Sequence, residues 1–298
     1  MPSKPIPAFI NPESGTRGLG AGGKEEVGDL IERDERFELR RVEAPQLAEA
    51  VGEAVRAGAR RVLVVGGDGS VASAAGAVVH TRTELAIVPT GTLNHFARDH
   101  EIPLDVAEAL DFAAEATAIP ADAAYVNGQL FLNTSSVGTY VRFVERRESL
   151  EPRVGYRIAS ILASLRTFAV SRPFKLKVDA EGRQRFYSTT LAFIGLGERE
   201  LRIPVLGSRV KGGRRGLHLL IPRASSHTRL LQVAATSALR GVQAAVGSLE
   251  LDSFLVEECR FDLRRPRGDI SIDGEIVSAA TPLHYHVERD ALRVVAST

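Results

Sequence analysis

The sequence predicts an α/β domain with a parallel sheet, followed by a β-rich domain. Strand-like and helix-like patterns alternate through the first third of the chain, and short β-like runs dominate after about residue 119. Alternating strands and helices are typical of a parallel sheet with helices on both faces. We therefore expect residues 1–121 to form the first domain and residues 122–287 the second.

The first domain begins with a short apolar strand and continues through repeated strand and helix patterns. Strands are predicted where apolar residues run together or alternate, at residues 6–10, 37–42, 61–65 and 85–88. Helices are predicted from helical spacing or from Ala-rich composition, at residues 24–33, 46–57, 71–79, 94–100 and 105–116.

The second domain is predicted mainly from turns between β-like runs. Asn127-Gly128 is a hairpin signal, and Glu181-Gly182 separates two further strands in the same way. Two helical patterns, at residues 155–170 and 227–246, interrupt this half. The remainder, residues 250–295, consists of strands and turns.

Composition limits the classes of function that the chain can have. The formal net charge of its 298 residues is +1, so no global field attracts nucleic acid, and we expect no nucleic-acid partner. No apolar run approaches the ~18 residues of a membrane span, so no transmembrane segment is expected. The single cysteine, Cys259, excludes an intrachain disulfide and fits a reducing cytoplasm.

A glycine-rich segment, Gly66-Gly67-Asp68-Gly69-Ser70, follows the strand at residues 61–65. Glycines permit close approach of the backbone, and the N–H groups at the start of the following helix, expected near Val71, face an anion. Asp68 is a candidate ligand for a metal on the phosphates. A purely structural tight turn explains the glycines equally well, but a backbone turn does not require the aspartate, which favours a function.

Two other polar loops follow strands of the same sheet. Asn11-Pro12-Glu13-Ser14-Gly15 follows the first strand, and Pro89-Thr90-Gly91-Thr92-Leu93-Asn94 follows the strand at residues 85–88. Loops after parallel strands gather at one edge of the sheet, where ligands bind. The three loops together predict a crevice that accepts an anion.

These loops resemble those of the diacylglycerol kinase catalytic family, which also includes sphingosine kinases and bacterial soluble lipid kinases. The resemblance covers nearly the whole chain, and its motifs are residues 11–15, 66–70, 89–98, 131–133, 138, 155–168 and 273–275. It implies a fold similar to NAD kinases, in which a Rossmann-like α/β domain, completed by residues 288–298, is joined to a β-sandwich domain.

The resemblance also implies a reaction and the residues that perform it. ATP phosphates are expected at residues 66–72, and transfer goes to a hydroxyl with Mg²⁺ on the phosphates. Glu275 is expected to accept the proton of the hydroxyl, and Asp273 to assist it. The ATP and metal residues that we predict are Asn11, Pro12, Ser14, Gly15, Gly66, Gly67, Asp68 (also the metal ligand), Gly69, Ser70, Gly91, Thr92 and Asn94.

The residues themselves leave some of these roles open. Read without the resemblance, Ile272–Ile276 is a tight hairpin turn, which explains Asp273-Gly274 but not Glu275. The chain also departs from the family pattern: Ser70 replaces threonine, His95 replaces aspartate, and Lys211–Gly216 lacks the Asp-Asp-Gly of relatives that bind a structural Mg²⁺. There we expect a guanidinium to replace the cation.

The expected partner is a lipid substrate, diacylglycerol or a related lipid, met at a membrane surface by a cytoplasmic or peripheral protein. An apolar helix at residues 155–168 and five arginines are candidates for contacting it, although a core helix and a solvated face explain them as well; the arginines are Arg142, Arg146, Arg147, Arg153 and Arg157. The sequence leaves open a homodimer, an NAD kinase or other small-molecule kinase, and a binding protein that has lost catalysis.

Overall fold

The structure is a computed structural model that describes residues 4–11, 23–138, 173–201, 206–223 and 251–297. Pro12–Gly15, the five arginines and the two helical patterns at residues 155–170 and 227–246 lie outside the described residues. Contacts divide the chain into two compact units. The first unit is Met1–Ala123 with Glu288–Thr298, and the second is Ala124–Val287.

The first unit contains a parallel sheet. Its strands are β1 (Ile6–Ile10), β2 (Phe37–Arg41), β3 (Arg61–Gly66) and β4 (Glu84–Pro89), in the order β2-β1-β3-β4. The end of β18 (Leu283–Val295) adds a parallel neighbour to β4 through Arg293 and Val294. The predicted parallel sheet is thus confirmed.

Helices cover both faces of this sheet. They are α1 (Gly23–Glu32), α2 (Leu47–Arg56), α3 (Asp68–Val78), α4 (His95–Asp99) and α5 (Val106–Glu115), with a 3₁₀ turn at Ala44–Gln46. Alternate residues of β1, β3 and β4 pack with α1 and α5 in one core, while α2 and α3 lie against each other and α3 against β3 and β4. Strands buried on both faces explain the continuous apolar runs of β3 and β4.

The second unit is built from antiparallel strands. Its strands, together with the end of β5 (Ala118–Val126) and the start of β18, are β6 (Gln129–Phe131), β7 (Thr134–Gly138), β8 (Phe174–Ala180), β9 (Arg183–Thr189), β10 (Leu191–Leu196), β13 (Leu217–Pro222), β14 (Leu251–Val256), β15 (Glu258–Asp262), β16 (Arg267–Ile272) and β17 (Glu275–Ala280). One sheet has the order β14-β13-β10-β7-β16-β17, and a second runs from the start of β18 through β15 and β8 to β9. A separate pair joins β11 (Arg199–Leu201) to β12 (Leu206–Arg209).

The two antiparallel sheets pack face to face around one apolar core. Val137, Ile194 and Leu219 of the first sheet meet Val178 and Phe261 of the second. The predicted β-sandwich is therefore confirmed. Cys259 lies in this core, and burial raises the pKa of its thiol far above the ordinary value, as expected for an unreactive structural residue.

The two predicted hairpins of this half are present. Asn127 and Gly128 both have positive φ between β5 and β6, and Glu181 and Gly182 do so between β8 and β9. Positive φ at both central positions is the geometry of a type I′ turn, which follows the right-handed twist of paired strands. Within the described part of the chain, no helix is long and apolar enough to cross a bilayer.

Candidate active site

Three strands of the first unit end at the same level of the sheet. Ile10 of β1 pairs with Val65 of β3, and Gly66, the last residue of β3, pairs with Pro89 of β4. Asn11, which follows β1, is only 4% exposed. The structure thus brings Asn11, the segment after β3 and the loop after β4 to one edge.

The loops after β3 and β4 approach each other through two glycines. A Cβ atom built on Gly91 would lie 2.6 Å from the Cα of Gly67, and one built on Gly67 would lie 3.1 Å from the Cα of Gly91. The N–H of Thr90 also donates to the carbonyl of Gly66 at 3.0 Å. Packing therefore requires a glycine at position 91, whereas a Cβ atom at position 67 would make a tight contact with it.

The helix after the glycine segment begins earlier than the sequence suggested. Helix α3 starts at Asp68 rather than near Val71, so Asp68, Gly69 and Ser70 form its first turn. The sequence predicts a turn at residues 66–70 because three of the five are glycines, which allow unusual backbone conformations. The N-cap residue is Gly67, which has no side chain to accept the first-turn N–H groups, and such a helix end favours an anion.

The carboxylate of Asp68 contacts the neighbouring loop. Its Oδ2 accepts from the N–H of His95 at 3.1 Å, and its Oδ1 accepts from the N–H of Phe96 at 3.0 Å, so it caps α4. The aspartate therefore joins the two loops, and this structural role is one that the sequence does not predict. Its role as a metal ligand stays a prediction.

Asn94 closes the loop before α4. It adopts a left-handed conformation, with φ of 50°. Its Oδ1 accepts from the N–H of Gly91 at 2.9 Å, and its Nδ2 donates to the carbonyl of Gly91 at 2.9 Å. This side chain fixes the glycine that touches Gly67. The hydroxyl of Thr90 is buried and has no hydrogen-bond partner among the described residues.

Glu275 is exposed at the start of β17 in the second unit. Ile272 pairs with Glu275 across the turn Asp273-Gly274, whose residues have φ of 46° and 94°. The hairpin expected from the residues alone is therefore present. Such a two-residue turn allows little freedom, and it presents a carboxylate to solvent on a rigid support.

Asp273 binds the main chain of a distant loop. Its carboxylate accepts from the N–H groups of Leu132, Asn133 and Thr134 at 2.7, 2.8 and 2.9 Å. Its own N–H donates to the carbonyl of Thr134 at 2.8 Å. Charged acceptors make strong hydrogen bonds to backbone donors, so the hairpin and the loop between β6 and β7 form one assembly.

The segment that departs from the family pattern contains an ion pair. Oε2 of Glu198 accepts from the N–H of Arg214 at 3.0 Å and lies 3.4 Å from its Nε. These hydrogen bonds lower the pKa of Glu198. The guanidinium of Arg214 thus lies beside the carboxylate of Glu198, and its replacement of a cation in Lys211–Gly216 stays a prediction.

No group of three or more His, Cys, Asp or Glu side chains suited to a metal occurs in the parts of the chain that the structure describes. Mg²⁺ in nucleotide sites commonly uses one or two carboxylates, with phosphates and water as the other ligands. Asp68 fits that pattern, because a carboxylate oxygen with one N–H donor retains a second lone pair.

The sequence model of the diacylglycerol kinase catalytic domain family matches residues 5–126 of this chain. A probable lipid kinase, YegS-like, from Pseudomonas aeruginosa strain UCBPP-PA14 is 30% identical over 254 residues, which cover 82% of this chain and 79% of the relative. The chain belongs to the diacylglycerol kinase catalytic family. Its enzyme class is accordingly that of a kinase, a phosphotransferase.

A second relative has the same description, and solved structures show the same fold. A probable lipid kinase, YegS-like, from Pseudomonas putida is 29% identical over 289 residues, 94% of this chain and 92% of the relative. A crystal structure of a diacylglycerol kinase from Bacillus anthracis str. Sterne has the same fold, with a TM-score of 0.69, 17% identity and coverage of 99% of this chain and 97% of the other. A second structure from that organism gives a TM-score of 0.76 at 20% identity, with 99% and 95% coverage.

The structure brings residues 66–70 and residues 89–94 together, as the sequence predicts. The catalytic roles of Asp273 and Glu275 stay predictions. The sequence does not predict the carboxylate contacts of Asp68 and Asp273, since main-chain N–H groups carry no sequence signal. Nor does it predict the place of Arg199, which contacts the loop that Asp273 binds.

Proposed function

We propose that this kinase transfers the γ-phosphate of ATP to the hydroxyl of a lipid, diacylglycerol or a closely related lipid. The observation that carries the proposal is the N-terminus of α3, where Gly67 provides no N-cap side chain and packs directly against Gly91. An uncapped helix N-terminus with close backbone approach is suited to phosphate oxygens. We propose a lipid as the acceptor because the relatives are described as probable lipid kinases.

The phosphate donor would be held by the first unit. We assign its phosphates to the N–H groups of residues 67–70, with Ser70 as a hydroxyl donor and Asn11, Gly66, Gly91, Thr92 and Asn94 completing the site, together with Pro12, Ser14 and Gly15 from outside the described residues. When bound, Mg²⁺ held by Asp68 and the phosphates would offset the charge that develops during transfer. Residues 1–121 with 288–298 are thus proposed as the nucleotide domain.

The acceptor would be activated by the second unit, residues 122–287. Phosphoryl transfer needs a base for the proton of the hydroxyl, and we assign this role to Glu275. Asp273 would assist by holding the hairpin through its three N–H contacts. Positioning supplies most of the rate, because the transition state requires little covalent help from the protein.

A lipid acceptor implies that the enzyme works at a membrane surface, and we propose that it does so from the cytoplasm. The competing proposal is a small-molecule kinase of the NAD kinase type, since the Gly-Gly-Asp-Gly segment is shared. Labelled ATP is supplied with mixed micelles of diacylglycerol, and separately with NAD. We expect labelled phosphate in the lipid; label in NAD alone, or in neither, would contradict the proposal.

A further inference from the structure

Arg199 is a buried arginine whose guanidinium binds main-chain carbonyl groups. The residue is 5% exposed. Its Nε and Nη2 donate to the carbonyl of Leu196 at 3.0 and 2.7 Å, and Nη2 also donates to the carbonyl of Asn133 at 3.2 Å. Burial of a guanidinium is costly unless hydrogen bonds replace its water. Here the hydrogen bonds to Leu196 and Asn133 replace that water.

Space for this side chain is provided by Gly195. A Cβ atom built on Gly195 would collide with Cγ of Arg199. The N–H of Arg199 donates to Nδ1 of His218 at 2.9 Å, so the main chain is held as well as the guanidinium. Hydrogen bonds therefore hold both the guanidinium and the main chain of Arg199 in place.

The loop that Arg199 contacts is the same loop that Asp273 contacts. Asp273 accepts from the N–H groups of residues 132–134, whereas Arg199 and the N–H of Leu196 donate to the carbonyl of Asn133, the latter at 2.9 Å. A negative charge thus lies at the N–H side of this short segment and a positive charge at a carbonyl. Both charges stabilise one orientation of the peptide groups between them.

This segment connects Arg199 to the proposed base. Glu275 is separated from Asp273 only by Gly274, and Ile272 pairs with Glu275 in the hairpin. A shift of the N–H groups of residues 132–134 would move the carboxylate of Asp273 and the turn that contains it. A displacement of about 1 Å at a reacting group can reduce a rate by about 10²-fold.

We propose that Arg199 is a positioning residue for phosphoryl transfer, which holds the loop of residues 132–134 so that Asp273 fixes the orientation of Glu275. The inference rests on the proposed role of Glu275, but its first link, from Arg199 to the loop, is independent of any activity. Arg199 does not itself touch the substrate.

The test compares Arg199→Met with Arg199→Lys and with Arg267→Met. Arg267 is a matched control, since it is an exposed arginine of the same hairpin that donates to the carbonyl of Ser278 at 3.2 Å. We expect Arg199→Met to lower kcat roughly tenfold to a hundredfold while KM for ATP changes by less than about twofold, because the nucleotide is assigned to the other unit. Arg199→Lys should recover part of kcat, and Arg267→Met should retain the wild-type value.

A second measurement follows the amide resonances of Leu132, Asn133 and Thr134 in labelled protein. We expect all three to shift in Arg199→Met and to remain in place in Arg267→Met. If Arg199→Met does not fold, Gly195→Ala displaces the side chain while the charge is kept, and the same shifts and loss of kcat are expected.

The outcomes separate this inference from the proposed function. Unmoved amides overturn the inference whether or not the enzyme is active. Moved amides with an unchanged kcat also overturn it, because the loop would then not position the base. A wild-type protein that phosphorylates no lipid and no NAD overturns the proposed function, and with it the link from the loop to catalysis, whereas the amide shifts still report on the first link.

Discussion

The two units each contain an aspartate that binds main-chain N–H groups, but the two contacts have different results. In the first unit, the carboxylate of Asp68 accepts two N–H groups at the start of α4. In the second unit, the carboxylate of Asp273 accepts three N–H groups of residues 132–134. Each aspartate joins its own element to a loop that is distant in sequence.

The two aspartates differ in which groups around them remain available to a ligand. Asp68 caps the neighbouring helix α4, while its own helix α3 begins at Gly67 without an N-cap side chain and keeps N–H donors for an anion. The carboxylate of Asp273 accepts from the N–H groups of residues 132–134, and the hairpin leaves the carboxylate of Glu275 exposed. One unit therefore offers positive backbone dipoles, which suit phosphates, and the other offers a negative group, which suits a proton.

The largest expected effect comes from removing the exposed carboxylate. Glu275→Gln should lower kcat by about 10²- to 10⁴-fold, which is the usual contribution of a general base, while ATP affinity is unchanged. Steady-state kinetics and calorimetric titration of ATP measure the two quantities. Glu181→Gln, at the exposed tip of the β8–β9 hairpin, is the control. A loss of ATP affinity as large as the loss of kcat would assign Glu275 to nucleotide binding instead.

The contacts of the two aspartates can be compared by removing each carboxylate in turn. Asp273→Ala leaves three N–H groups without their acceptor and should lower the free energy of unfolding by about 3 kcal/mol, and Asp68→Ala should cost about 2 kcal/mol. Urea denaturation measures both. Asp179→Ala is a control, because among the described residues the carboxylate of Asp179 accepts one exposed side-chain hydrogen bond, from Nε2 of Gln184. Kinetically, Asp68→Ala should weaken ATP binding and Asp273→Ala should lower kcat; the reverse assignment would refute the comparison.

The contact between the loops of the first unit is tested by Gly91→Ala. The added Cβ would lie 2.6 Å from the Cα of Gly67, so the loops must separate, at a cost of about 1–3 kcal/mol. ATP affinity should fall with it. Gly76→Ala is the control, since no described atom beyond its own stretch of α3 lies within 4 Å of the added Cβ. If Gly91→Ala binds ATP as well as Gly76→Ala does, the close contact is not needed by the nucleotide.

The smallest effect concerns His218. Burial lowers its pKa below the ordinary 6.5; nearby Glu198 opposes this, and Arg214 and Arg199 add to it. The unfolded chain then binds a proton more readily than the folded protein, so stability is full above pH 6.5 and falls as the pH drops, by at most about 1.4 kcal/mol per unit.

This pH dependence is measured as the free energy of unfolding from pH 7.5 to 5.5. His218→Asn, whose Oδ1 can accept from the N–H of Arg199, should show a shallower slope than the wild type. Identical slopes would mean that His218 does not titrate differently in the two states.

The fold could be predicted from the sequence because each unit repeats a simple local pattern. Val62–Val65 is apolar throughout since β3 is buried on both faces, and Asn127-Gly128 has the residues that a type I′ turn demands. The start of α3 could not be placed, because Asp68, Gly69 and Ser70 are helical through their tertiary setting rather than their propensity. The contacts of Asp68, Asp273 and Arg199 involve main-chain atoms of distant loops, which no residue type reveals.

The most direct test of the account is a crystal structure of the protein with a non-hydrolysable ATP analogue and Mg²⁺. The account predicts that the β- and γ-phosphates accept hydrogen bonds from the N–H groups of residues 67–70 at the start of α3, with the loop of Gly91 and Asn94 alongside. Phosphates bound elsewhere, with this helix end in contact only with water, would contradict it.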